Sequence, residues 1–268
     1  MARPAGPGSG GPGSAGAGPA GYDVTQYPAF AVTVDVVVLA MDDGVMKVLL
    51  VQRRGEPFAG SWALPGGFKT PDETLDEAAA RELLEETGVA APADLSAPAA
   101  LVQVGAYGDP GRDPRTNVVT VVYRAALAAA PAPRAGTDAA EAWWFPVAEV
   151  LAGTTELAFD HHRIVTDAVE RTSAELESSA VALAFVPREF TLTQLRRVYD
   201  QLWGTELDAG NFRRSLKIGV EDYVRGTAAL VEPSSEGGRP GELFRAGDRE
   251  LWRAAAPVRR SRQSARKA

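Results

Sequence analysis

The chain of 268 residues has no cysteine, which excludes disulfides, thiolate metal centres and thiol nucleophiles. Histidine is nearly absent too, with only the adjacent His161 and His162. Neighbouring side chains point apart on most backbones, so a histidine-rich zinc site is not expected. Any metal should be a hard ion held by carboxylates. Long apolar runs are also missing. No stretch approaches the roughly 18 residues that span a bilayer, and the N-terminus lacks the apolar segment of a signal peptide. The expectation is a soluble, cytoplasmic protein without a membrane partner. Apolar residues make up 45% and charged residues 24%, as in ordinary globular proteins, and the length favours two domains.

The net charge of -7 hides a split. Residues 1–184 carry 12 basic and 24 acidic side chains, whereas residues 185–268 carry 16 basic and 11 acidic. An acidic module followed by a basic one points to different partners, an anionic polymer for the second.

Residues 1–21 are Gly, Pro, Ala and Ser apart from Met1 and Arg3, a composition that cannot bury a core and reads as a disordered leader. A first domain is expected over 22–158. Its β-branched run Ala31 to Met41, the Asp43-Gly44 turn and the strand Met46 to Gln52 read as a hairpin. Further strands are expected at Ala100 to Gly105, Asn117 to Tyr123 and Ala140 to Pro146, with helices at 75–87 and 147–152. A linker helix falls within 159–184, a second domain within 185–255 and a basic disordered tail over 256–268.

The most informative segment runs from Gly67 to Val89. Thr74 and Glu77 form a capping box that starts a helix at Leu75, and Gly88 suits the left-handed position that ends one. At about 100° per residue, Glu82, Glu85 and Glu86 share one face. Residues 72–86 hold seven acids against the single Arg81. Such a run is either a solvated face or a cation site. Two carboxylates about 5 Å apart repel by roughly 3 kcal/mol at an effective dielectric near 20, a term that a divalent cation reverses.

The pattern Gly67-x5-Glu73-x7-Arg81-Glu82-Leu83-x-Glu85-Glu86-x-Gly88-Val89 resembles the Nudix box at every defined position. The resemblance implies an α/β/α sandwich around a mixed sheet. It also implies Mg2+ or Mn2+ held mainly by Glu82, Glu85 and Glu86, with Arg81 as a buried partner orienting the acids through Glu73. Reactions of that family cleave a nucleoside diphosphate linked to another group, with metal-activated water attacking phosphorus. Downstream, Tyr107 to Arg115 looks like a loop of ADP-ribose-type Nudix proteins. Arg112 and Arg115 are candidate contacts to a pyrophosphate or ribose, although such a loop is also an ordinary charged turn between strands. Arg53, Arg54 and Phe58 are further candidates for base or ribose contacts. Trp143 and Trp144 read as core and interface residues.

In the second half, Thr191 and Gln194 form a capping box flanked by the staple pair Phe190 and Leu195. That helix should run to Trp203 and stop at Gly204. A second begins after Asp208 and ends at Gly219, with Ala209, Phe212 and Leu216 on one face and Arg213, Arg214 and Lys217 on the other. Thr227 to Val231 and Glu242 to Arg245 then pair across a Gly/Pro-rich tip. This is winged-helix order, with Arg239 on the wing. Three basic residues on a short helix are otherwise only a solvated face.

Together the halves resemble the Nudix-related transcriptional regulators, the NrtR family, over about residues 27–252. The resemblance implies a homodimeric repressor of NAD-biosynthesis genes that binds operator DNA, with ADP-ribose or a related NAD metabolite as effector. Candidate DNA contacts are Thr193, Asn211, Arg213, Arg214, Lys217 and Arg239. Because the box is complete, hydrolysis of the ligand remains chemically open. The alternatives are a metal-dependent ADP-ribose or nucleoside-diphosphate pyrophosphatase with a non-DNA-binding accessory domain, and an RNA-end hydrolase.

Overall fold

Alternation along the β-branched run Val34 to Ala40 sends successive side chains to opposite faces of a sheet, and both faces are buried. The computed structural model describes residues 23, 26–91, 101–136, 139–217, 223–231, 241–247 and 258. The chain divides into two compact units, residues 1–30 and 31–268. Of the first unit little is described beyond a turn in which the Gln26 amide donates to the Asp23 carbonyl, 3.3 Å away. The expected leader, the wing tip including Arg239, and the basic tail apart from Val258 lie outside the described residues, and Val258 is buried in the core rather than disordered.

The second unit begins with β1 (Ala31–Asp42), β2 (Val45–Arg53), β3 (Trp62–Ala63), β4 (Gly66–Phe68) and α1 (Leu75–Thr87). β5 (Val102–Tyr107), β6 (Val118–Leu127), β7 (Ala139–Pro146), α2 (Val147–Leu151) and α3 (His161–Glu175) follow. These seven strands form one mixed sheet in which β1 and β6 pair in parallel over ten residues while the other pairs are antiparallel.

One face of that sheet, with Val34, Val36, Val38, Val121 and Tyr123, packs on Ala78, Ala79 and Leu83 of α1. The other, with Val37, Leu39, Val48 and Leu50, packs on Ile164, Val165 and Ala168 of α3. The α/β/α sandwich follows from period-two burial on the strands and an apolar stripe on each helix. Beyond Leu39 and Val48 the paired strands β1 and β2 diverge, with β4 on β1 and β3 on β2 in the gap. That splay makes room for a cavity.

After α3, a turn of 3₁₀ helix (Val181–Phe185) leads into α4 (Leu192–Trp203), α5 (Ala209–Lys217), β8 (Val224–Val231) and β9 (Gly241–Ala246). This is a winged helix, and Phe190 pairs with Phe244 to add a short third strand to the β8–β9 hairpin. Both expected capping boxes form, and Gly88 and Gly204 end their helices at φ 68° and 61°. The staple residues Phe190 and Leu195 are buried. On α5 the buried residues are Phe212 and Leu216, whereas Ala209 is exposed, because the first turn projects beyond the face that meets α4. The apolar cluster under α3 continues without a break through Phe185, Val198 and Tyr199. Of the tryptophans on β7, Trp144 is buried over α1, but Trp143 is 63% exposed on the opposite face. It is therefore not a core residue. No helix among the described residues is long and apolar enough to cross a membrane.

Candidate ligand pocket and DNA-reading surface

A cavity of about 620 Å³ lies in the splay between β1 and β2. Its walls are Thr33 and Asp35 of β1, Arg53 and Arg54, Gly66 to Phe68 with Glu82 and Glu86, the loop residues Arg112, Asp113 and Arg115, and Phe159 and His161 beside α3.

On the α1 wall, Arg81 organises the acids. Its guanidinium donates to both oxygens of Glu73 (2.9 and 2.7 Å), to Glu82 (2.7 Å), to Glu85 (3.1 Å) and to the Phe68 carbonyl (3.2 Å). The bonds from Arg81, with help from the Thr70 amide, hold the Glu73 carboxyl down at about 2. The same pairs raise Arg81, whereas burial pushes Glu82 up despite its arginine neighbour. Arg81 was expected to be buried, yet its side chain is 30% exposed because it spans from the helix surface to the loop that carries Glu73. Glu86 accepts from the Gly66 amide at 2.9 Å. The two glycines are required by close approach. A Cβ on Gly66 would lie 2.2 Å from the Val34 carbonyl oxygen, and one on Gly67 would lie 2.4 Å from Glu82 Oε1.

Glu82, Glu85 and Glu86 share a helix face as expected, but they do not converge. Among the described residues no group of three acidic or histidine side chains is gathered for a metal ion. Arg81 occupies Glu82 and Glu85, and a backbone amide occupies Glu86. The donor chemistry nonetheless fits a hard dication, since all three are carboxylates and two of them face the cavity.

Opposite this wall, the expected arginines do come together. Arg53 donates to the Pro57 carbonyl at 2.9 Å and lies 4.8 Å above the Phe159 ring. Burial and then the nearby Arg115 lower its pKa. Arg115 chelates Asp113 and stands 5.5 and 5.8 Å from the rings of Phe68 and Phe159. Arg112 is buried in a two-pronged pair with Asp160, at 2.7 and 3.0 Å. A cavity with four guanidiniums and two aromatic rings suits a ligand that carries phosphates and a flat base.

Sequence reasoning missed four residues here. Asp35 is buried, accepts from Thr120 at 2.6 Å and lies 3.6 Å from His161. The Nδ1 atom of His161 accepts from the Leu64 amide at 2.9 Å, so the ring proton sits on Nε2, and burial lowers its pKa. Phe159 and Asp160 are the others. An acid inside an apolar strand was a usable signal for Asp35. Nothing local marks the other three, which reach the cavity only through the tertiary fold.

On the second module, Thr193, Asn211, Arg213 and Arg214 are all exposed. Arg214 donates to Asn211 Oδ1 at 2.9 Å, and Arg213 is paired with Glu242 on β9. Lys217 ends α5, but its side chain lies outside the described residues, like Arg239.

The NUDIX domain family matches residues 29–168, and the NrtR DNA-binding winged helix domain matches residues 182–246. The chain belongs to the NrtR family. An ADPR responsive transcriptional repressor of Acinetobacter baylyi is 32% identical over 226 residues, 84% of this chain and 85% of that protein. NrtR of Shewanella oneidensis, solved with a 27mer DNA, superimposes with a TM-score of 0.66 at 31% identity, covering 84% of this chain and 96% of that one. The NUDIX domain of the same protein, solved with ADP ribose, is 38% identical with a TM-score of 0.50, covering 57% of this chain and 94% of that one.

Proposed function

We propose that this NrtR-family chain is a repressor that binds operator DNA as a homodimer and is released by ADP-ribose or a related NAD metabolite in the Nudix cavity. The observation that carries this reading is one chain joining an arginine- and aromatic-lined cavity on a Nudix box to a DNA-binding winged helix. The relatives support it, since the Acinetobacter protein is named for its response to ADPR and the Shewanella structures hold DNA and ADP ribose. In this reading residues 22–158 sense, 159–184 link and 185–255 read DNA in the cytoplasm, and the regulated genes are those of NAD biosynthesis. Arg53, Arg112 and Arg115 meet the ligand. Thr193, Asn211, Arg213, Arg214, Lys217 and Arg239 face the DNA.

Glu82, Glu85 and Glu86 are the residues that would hold Mg2+ or Mn2+, while Glu73 and Arg81 fix their orientation. The bound ion would neutralise phosphate charge and sharpen a water nucleophile. Arg81 holds Glu82 and Glu85 aligned through its hydrogen bonds, and the Gly66 amide aims Glu86. The complete box favours a second reading, in which the sensor also hydrolyses its ligand.

The test is binding to DNA from the gene's own neighbourhood at fixed salt, with and without ADP-ribose and Mg2+. Specific binding that ADP-ribose reverses supports the repressor. Binding no tighter than to random DNA, with ADP-ribose consumed in the same tube, leaves a hydrolase.

A further inference from the structure

Asp160 stands at the N-cap of α3 and is of a residue type strongly favoured there. Yet its side chain makes no capping bond, and its backbone (φ -96°, ψ 19°) is not the extended one that capping residues adopt. Its carboxylate is spent on Arg112 instead, through two hydrogen bonds of 2.7 and 3.0 Å. Arg112 lines the cavity with its side chain 5% exposed. Immediately before Asp160, Phe159 is held at φ 55°, a left-handed conformation costly for a bulky side chain. An uncapped helix, a diverted capping residue and a strained neighbour coincide on one side of the ligand cavity.

We propose that the Arg112–Asp160 pair is a ligand-operated switch. A phosphate group entering the cavity takes the Arg112 fork, and the released Asp160 carboxylate turns onto the His162 and Arg163 amides in the first turn of α3. The inference rests on the cavity being a nucleoside-diphosphate site. Phosphate and carboxylate compete for the same fork of donors, so the pair and the ligand exclude one another, which is the differential interaction a ligand needs to shift a conformation. The freed charge is not stranded: the His161 amide is already bonded to the Ala158 carbonyl, but the His162 and Arg163 amides receive no side-chain cap and stand at the positive end of the helix dipole.

The remaining contacts of α3 carry the change outward. Tyr107 donates to Asp167 at 2.9 Å and Arg163 to Asp109 at 2.8 Å, which ties the start of the arginine loop to the same helix at two points. At the far end of α3, Trp203 of α4 donates its indole N–H to the Ser173 carbonyl at 3.1 Å. A turn of the Phe159–Asp160 corner therefore displaces a rod whose other end is bonded to the DNA-reading module.

Hydrogen exchange at the His162 and Arg163 amides of the full chain tests this, because an N-cap side chain bonds those two positions. In the wild type, saturation with ADP-ribose should slow their exchange at least tenfold. Asp160→Asn keeps the capping oxygen but loses the charge that holds Arg112, so its exchange should be slow with or without ligand. Asp160→Ala should exchange fast in both states. Calorimetric binding of ADP-ribose with unchanged exchange in the wild type overturns the switch and leaves the cavity assignment standing. Fast exchange in free Asp160→Asn also overturns it. Absence of binding heat overturns the cavity assignment and the switch together.

Discussion

The carboxamide oxygen of Gln201 on α4 accepts a hydrogen bond from the Met46 amide on β2, 3.1 Å away. Alongside it, Arg197 covers the β1–β2 turn so closely that a Cβ on Gly44 would sit 3.1 Å from its Nη1. The DNA-reading half is fastened to one end of the strand whose other end is Arg53 on the cavity wall. Gln201→Leu would leave the partly buried Met46 amide without its acceptor, a loss of about 1–3 kcal/mol. Urea unfolding should show that loss, and an unchanged midpoint would mean that water replaces the carboxamide.

Replacing Arg213 and Arg214 together by alanine should weaken operator binding by at least about thirtyfold, since specific arginine contacts are each worth about 1–3 kcal/mol. ADP-ribose affinity should not move. Glu242→Gln releases Arg213 from its partner and should tighten DNA binding several-fold. Fluorescence anisotropy at fixed salt reads both effects, and unchanged affinity in the double variant would show that α5 does not face the DNA.

Glu85→Gln with Glu86→Gln should weaken Mn2+ binding by more than about a hundredfold and abolish any metal-dependent turnover. DNA binding should survive, because α1 packs on one face of the sheet and the cluster that continues into α4 packs on the other. Paramagnetic titration with Mn2+ checks the first point. Wild-type turnover in this variant would place the metal elsewhere.

Acid should act on stability in two separate windows. Burial holds the His161 pKa below its ordinary 6.5, so below that pH the unfolded chain takes up a proton that the folded chain refuses. Stability should therefore begin to fall below pH 6.5, by at most about 1.4 kcal/mol per pH unit from this group. Glu73, whose pKa is lowered from 4.5 to about 2, adds its loss only between those values. His161→Asn should flatten the upper window and leave the lower one, measured by denaturant midpoints from pH 7.5 to 2. A slope unchanged in that variant would assign the upper window to another group.

Both long capped helices were legible because their signals are local. Thr74, Glu77 and Gly88 carry α1, and Thr191, Gln194 and Gly204 carry α4, each within one turn of the boundary it sets. The strands around Val36 and Val121 were legible from β-branched runs. By contrast, β3 and β4 are too short for any period to register. They exist because Trp62 to Phe68 must line the splay between β1 and β2. The arginine side of the cavity was visible as residues but not as partnerships. Nothing near Arg112 in sequence points to Asp160, 48 positions on, and a charge count treats Asp160 as one more surface acid.

The parallel pairing of Ala31–Ala40 with Val118–Leu127 joins segments far apart along the chain. Bringing them together closes a long loop before the contact returns any stabilisation. During synthesis β1 therefore emerges with its hairpin partner close behind but the other edge open. It is one of the most apolar segments of the chain and waits until β6 has left the ribosome. The centre of the sheet is where folding should be slowest and where the nascent protein is most exposed to aggregation and most in need of a chaperone.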